Sequence, residues 1–273
     1  MSDKDPRNDP APWLDRWNLT VAGDRIVTHS SVLVPAVQGE RSVMLKLTQE
    51  PEEQIGGAAL AWWDGQGAVA VLQLENGALL MERPTGSESL YQWALDGNDD
   101  ASIEILCQTT ATLHAHRATD PPEVPTLDSW FRDLLKSTDE RQEVVLGRQL
   151  LEQLLATERD RVLLHGDIHH RNVLQHSDGR WLAIDPKGIL GERTYDYLNI
   201  FRNPNESIAT DPSRFDARID QITRAAGLDR IRLLQWIAAF CALSLAWNYY
   251  PEGSPDADLT VARFALARLR LER

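Results

Sequence analysis

Cysteine is nearly missing: Cys107 and Cys241 are the only two in 273 residues, and both sit in apolar, helix-like surroundings. That excludes a disulfide framework and fits buried thiols in a reducing compartment. Long apolar runs are scarce too. Ile237–Leu243 falls far short of a membrane span, and the first residues, MSDKDPRNDPAP, contain no apolar leader. A cytoplasmic protein without a membrane partner is expected. Basic residues are outnumbered 28 to 41, for a net charge of −13, which disfavours nucleic acid and suits a cationic ligand. Internal repeats and low-complexity blocks are lacking, and nothing marks an oligomeric state. The chain does have 42% hydrophobic residues over a length that allows a sizeable core. Nine tryptophans are many, and burial is their default.

One stretch concentrates the chemistry. Val162–Asp185 reads VLLHGDIHHRNVLQHSDGRWLAID. Val162-Leu163-Leu164 delivers His165-Gly166-Asp167 into a polar loop, and Asn172 follows five residues after Asp167. Ser177-Asp178-Gly179-Arg180 reads as a hairpin turn before a second short strand, Trp181–Ile184, that ends at Asp185. Asp167, Asn172 and Asp185 are thereby expected at the mouths of adjacent strands, converging on one cation and one hydroxyl. Phosphoryl transfer uses such a set: one carboxylate takes the hydroxyl proton, while an amide oxygen and a second carboxylate hold Mg²⁺. A rival reading is a metal hydrolase, because His165, His169 and His170 crowd around Asp167. Only His29, His114, His116 and His176 remain to complete such a centre, and they show no metal-motif spacing.

The rest of the chain falls into two compositional halves. Residues 1–12 read as a frayed tail. From Asn18 to Leu47 strands alternate with turns, and Lys46 interrupts an apolar strand, where a solvated edge position is one reading. A helix opens near Pro51, carries Glu52 and Glu53 in its first turn, and stops at Asp64-Gly65. Ala68–Leu74 and Ala78–Met81 form a hairpin through Glu75-Asn76-Gly77. Beyond Pro84 helices dominate: one capped by Asp100, one opened by a Ser137-x-x-Glu140 capping box, a helix from Tyr195, and the all-round apolar Arg230–Trp247. Asp196 lies among aromatic and aliphatic neighbours; if buried it would accept the amides of the catalytic loop, and otherwise it is a solvated helix-start acid.

The pattern H-G-D-x-x-x-x-N followed by I-D resembles the catalytic loop and metal-binding Asp of the protein-kinase-like superfamily. Gly166 in place of Arg, and Pro186 after the second Asp, resemble its small-molecule branch. With W-L-A-I-D-P-K-G-I-L-G-E-R, Y-D-Y-L-N-I-F-R-N-P and L-S-L-A-W-N, the chain from about Trp13 to Leu271 is similar to the aminoglycoside/hydroxyurea phosphotransferase family, best known for streptomycin 6-kinase. The resemblance implies an α+β, two-lobe kinase-like fold: a small antiparallel N-lobe with one helix (1–81), a hinge (82–86) and a larger, mainly helical C-lobe (87–273). It also implies ATP, Mg²⁺, and transfer to a hydroxyl of a cationic small molecule such as streptomycin, at its 6-hydroxyl, or hydroxyurea. Asp167 becomes the catalytic base, Asn172 and Asp185 the Mg²⁺ ligands, and Lys46 the phosphate lysine aimed by Glu53, or alternatively Glu52. Ser30 and Ser31 would cover the phosphates in place of a Gly-rich loop, and backbone groups of Met81, Glu82 and Arg83 would meet adenine. His165 and Asp196 would support the loop from behind. Acceptor candidates are Glu192, Trp247 and Asn248, with core packing for the Trp and solvation for the Glu as the plain readings. A kinase of an endogenous amino sugar, aminocyclitol or amino alcohol, and a non-catalytic nucleotide-binding module, are the alternatives.

Overall fold

Side-chain alternation with period two builds the first part of the chain. The computed structural model describes residues 9–115, 117–247 and 255–272. It opens with α1 (Ala11–Arg16), β1 (Thr20–Val21), β2 (Ile26–Val27), β3 (Ser31–Gln38) and β4 (Arg41–Thr48). Helix α2 (Pro51–Trp63) follows, then β5 (Val71–Glu75) and β6 (Ala78–Glu82). The strands form one antiparallel sheet in the order β1-β3-β4-β6-β5, with β2 also paired to β3. One face presents Val32, Val34, Ala36, Val43, Leu45, Leu47, Ala78 and Leu80, buried together with Trp17 and Leu19. Each such Val or Leu removed from water is worth about 1.5–3 kcal/mol. The intervening residues Leu33, Lys46, Leu79 and Met81 face the other way, into a cleft. Strand β4 lies between β3 and β6, so the edge-strand reading of Lys46 does not hold.

Helix α2 covers the cleft side. Pro51 occupies its first turn with Glu52 and Glu53, and Asp64 ends it in the left-handed conformation (φ 50°). Two mid-helix glycines, each about 1 kcal/mol less favourable than alanine, have a steric reason at Gly56. A Cβ there would lie 2.1 Å from the Pro186 carbonyl oxygen, so the helix backbone rides directly on the chain after Asp185. The next residues depart from the expected hairpin: Ala68 bridges Ala183, and β5 starts only at Val71.

The helical part contains α3 (Leu90–Leu95), α4 (Asp99–Leu113), α5 (Leu127–Trp130), α6 (Arg132–Lys136) and α7 (Gln142–Ala156). Two small sheets then interleave: β7 (Arg161–Leu164), β8 (Val173–Gln175), β9 (Trp181–Ala183) and β10 (Ile189–Glu192), with β7 paired to β10 and β8 to β9. A 3₁₀ run (Arg193–Arg202), α8 (Glu206–Ala209), α9 (Pro212–Ala226), α10 (Arg230–Trp247) and α11 (Pro255–Leu271) complete it. Helix α10 is long and apolar enough to span a membrane by composition, yet 67% of it is buried inside the fold, packed on α7 and α11. Two cap expectations fail. Asn98, not Asp100, occupies the N-cap of α4, and Ser137 Oγ accepts the Asp139 amide while α7 begins later, at Gln142.

Candidate active site

The paired strands fix where the polar residues meet. Asp167 and Asn172 lie on the loop from β7 to β8, and Asp185 lies just after β9, so the β7–β10 and β8–β9 sheets bring both segments to one side. Gly166 turns the loop at φ +84°, a conformation closed to the arginine of a protein-kinase loop without strain. Asp185 itself is held at φ +59°, an uncommon position for a non-glycine residue.

Lys46 is the junction of the cleft. Its ammonium lies 2.6 Å from Asp185 Oδ1 and is ion-paired with Glu53. Glu52 makes no such contact among the described residues, so Glu53 is the partner. Burial lowers the affinity of Lys46 for its proton, but the two carboxylates outweigh it and hold the group charged. Burial likewise works against ionisation of Asp185, and Lys46 reverses the balance, keeping that carboxyl below its ordinary range. Glu53 also accepts a hydrogen bond from Ser30 Oγ at 2.6 Å.

Asp167 is aimed by two amides. Asn172 Nδ2 donates to Asp167 Oδ2 at 3.2 Å and to its backbone oxygen at 3.0 Å, and Asn199 Nδ2 donates to Oδ1. The planar amide of Asn172 thereby turns its own oxygen away from Asp167. Behind the loop, buried Asp196 accepts the amides of His165 (2.9 Å) and Gly166 (2.7 Å) and contacts His114 Nε2 at 2.7 Å. His165 Nδ1 accepts the Asp167 amide, which leaves Nε2 as the donor to Ile184 O at 2.9 Å. Burial pushes its pKa down, so the ring is neutral and serves as a spacer.

The histidines of the loop do not converge. His165 turns to Ile184 and His170 lies 3.8 Å from Asp99. No group of three or more His, Cys, Asp or Glu side chains suited to a metal ion occurs among the described residues. Asn172 and Asp185 nevertheless line one cavity of about 560 Å³ with Lys46, Glu53 and Met81. An amide oxygen and a carboxylate suit a hard cation that keeps several waters, so the donor set fits Mg²⁺ rather than zinc.

Other site expectations need correction. Ser30 and Ser31 wall the cleft, but both amides donate to Thr28 Oγ1 (3.3 and 2.9 Å), and the hydroxyls are engaged by Glu53 and Thr28. Phosphate oxygens therefore meet no free donor from these serines in this arrangement. At the expected adenine edge, the Glu82 and Arg83 amides already donate to Ala70 O and Ser42 O, while the Met81 side chain lines the cavity. Glu192 is not an acceptor residue: it is 1% exposed and receives Arg232 (2.6 and 2.7 Å), Trp236 Nε1 and Thr194 Oγ1. Trp247 is 41% exposed, stands edge-on to Trp130 and donates to Asp133 Oδ2 at 2.9 Å. Asn248 lies outside the described residues. Sequence reasoning missed Asn199, although it stands in the quoted Y-D-Y-L-N run, and also Lys187, a further cation lining the cleft.

Comparison with known proteins places the chain in a family. Residues 16–251 match the aminoglycoside/hydroxyurea antibiotic resistance kinase family. A streptomycin 3''-kinase from Klebsiella pneumoniae is 45% identical over 239 residues, covering 86% of this chain and 90% of that protein. A hydroxyurea phosphotransferase from Kitasatospora aureofaciens is 29% identical over 94% of this chain and 78% of its own. A streptomycin 6-kinase from Streptomyces griseus is also 29% identical, over 86% of this chain and 80% of its own. Among solved structures, choline kinase LicA from Streptococcus pneumoniae superposes with a TM-score of 0.62 at 13% identity, over 96% of this chain and 97% of that one. Apo aminoglycoside phosphotransferase APH(4)-Ia, a thermostable mutant, gives 0.61 at 14%, over 95% and 98%. These two likenesses carry the fold alone. From fold, site and sequence match together, the chain is a kinase-fold phosphotransferase and belongs to the aminoglycoside/hydroxyurea antibiotic resistance kinase family.

Proposed function

We propose that the protein transfers the γ-phosphate of ATP, with Mg²⁺, to a hydroxyl of streptomycin in the cytoplasm, and so inactivates the antibiotic. The observation that carries this reading is the convergence of Lys46, Glu53 and Asp185 in one cleft whose wall also holds Asn172, hydrogen-bonded to Asp167. In this reading residues 1–81 cover the nucleotide, 82–86 act as the hinge beside adenine, and 87–273 hold the acceptor. Asn172 and Asp185 would hold Mg²⁺, which neutralises phosphate charge when bound. Asp167, fixed by Asn172 and Asn199, takes the acceptor's proton as its oxygen attacks phosphorus. Trp247, with Asp133 beside it, offers an indole face and a carboxylate to a guanidinium.

The 45% identity to a 3''-kinase favours the 3''-hydroxyl over the 6-hydroxyl expected from the family resemblance. Incubation with ATP, Mg²⁺ and a panel of streptomycin, hydroxyurea and amino-sugar metabolites, read by mass spectrometry and NMR, tests this. A streptomycin 3''-phosphate ester is expected. Phosphorylation of a metabolite alone would overturn the acceptor assignment.

Lys46→Ala is expected to weaken ATP binding and to lower kcat by about 10²-fold or more. It removes a phosphate contact and leaves Glu53 and Asp185 facing each other unneutralised. Steady-state kinetics and calorimetric ATP titration check it; values like those of the unaltered protein would remove the lysine from the mechanism.

A further inference from the structure

The chain after Asp185 is clamped on every side. The Pro186 carbonyl lies against Gly56, the Lys187 amide donates to His165 O at 2.7 Å, and a Cβ on Gly188 would touch Ile55. Gly166 leaves room for the Lys187 stem as well: a Cβ there would stand 3.0 Å from Lys187 Cβ. The backbone of Lys187 is thus fixed between α2 and the loop that carries Asp167.

Its side chain is not fixed in the same way. Lys187 lines the cleft with Lys46, Asn172 and Asp185, yet among the described residues its ammonium makes no ion pair within 4 Å. Lys46, by contrast, is bracketed by two carboxylates and brings no surplus positive charge. The Ser30–Ser31 loop has spent its amides and hydroxyls on protein partners. A phosphoryl group in transfer carries charge on its peripheral oxygens and needs a cation aimed at them. Lys187 is a half-buried cation lining the same cavity as Lys46 and Asp185, and its charge acts on both Asp185 and His169.

We infer that Lys187 contacts the γ-phosphoryl group and stabilises it during transfer, as a cation supplied by the chain itself. The inference rests on the phosphotransferase reading above. In the step, the acceptor oxygen forms a bond to the γ-phosphorus while the bond to the β–γ bridging oxygen breaks. That electron pair leaves with ADP, the acceptor's proton passes to Asp167, and Lys187 keeps its proton throughout.

The test compares the unaltered protein, Lys187→Met and Lys187→Arg. Dissociation constants are measured calorimetrically for Mg-ADP and for a non-hydrolysable Mg-ATP analogue, together with kcat on streptomycin. Lys187→Met is expected to bind ADP as before, to bind the triphosphate about tenfold more weakly, and to lose about 10²–10³-fold in kcat, with Lys187→Arg recovering most of both. Unchanged ADP affinity also shows that the site is folded. An unaltered triphosphate-to-diphosphate affinity ratio would overturn the assignment, as would equal weakening of both nucleotides, which would mark a lysine that merely shapes the Asp185 segment. If the unaltered protein bound neither nucleotide, the phosphotransferase reading itself would fall.

Discussion

Asp167→Asn is expected to lower kcat by about 10²–10⁴-fold while leaving ATP affinity near that of the unaltered protein. The substitution keeps the size of the side chain and removes its capacity to accept the acceptor's proton. Asp167 stands outside the Lys46–Glu53–Asp185 cluster to which nucleotide binding is assigned in the proposed function, so binding and chemistry are expected to separate. Parallel kcat measurement and nucleotide titration read the two quantities. Near-normal turnover would assign the base elsewhere, and loss of ATP binding would show that Asp167 serves the nucleotide site instead.

Arg218→Met is expected to destabilise the fold by about 3–5 kcal/mol. Arg218 and Asp99 are 2% and 1% exposed and form a two-point ion pair at 2.7 and 2.9 Å; the guanidinium also donates to Ile200 O (2.7 Å) and Asn203 O (2.6 Å). Truncation leaves a buried carboxylate and two carbonyls without their donor. The same cluster makes stability depend on pH. Burial would raise the Asp99 pKa, but the two-point pair with Arg218 outweighs it and holds the carboxyl well below its usual range. His170 is driven by burial down to about 4. The folded protein then binds fewer protons than the unfolded chain between about pH 6.5 and 4, so His170's contribution is present above that window and is lost as pH falls through it. The gap is worth about 3 kcal/mol. Urea unfolding at about pH 7 and pH 4.5 reads both effects, and His170→Gln is expected to flatten the pH dependence. Equal stability at the two pH values would show that His170 is not held neutral.

Local patterns made the frame legible in the sequence, while distant pairings did not. The alternation through Val43, Leu45 and Leu47 leaves Lys46 on the opposite face, and Pro51 and Asp64-Gly65 mark the ends of α2, because those signals act within one turn or strand. Residues 177–180 set the β8–β9 turn for the same reason. Glu192 misled because a polar residue in a Gly-punctuated loop looks solvated, whereas its partner Arg232 lies 40 residues on. Asp99 and Arg218 are 119 residues apart, and Asn199 reaches Asp167 from 32 residues away. The Ser137 cap failed through competition: Asp139 pairs with Arg141, and the helix starts behind that pair. Only the packed fold decides such contests.

The most direct measurement is a crystal structure with Mg²⁺ and a non-hydrolysable ATP analogue. The expected density places the terminal phosphates against the Lys46 ammonium, with the metal on Asn172 and Asp185 and the γ-phosphoryl facing Asp167. A nucleotide bound anywhere outside this cleft, or phosphates pointing away from Asp167, would contradict it.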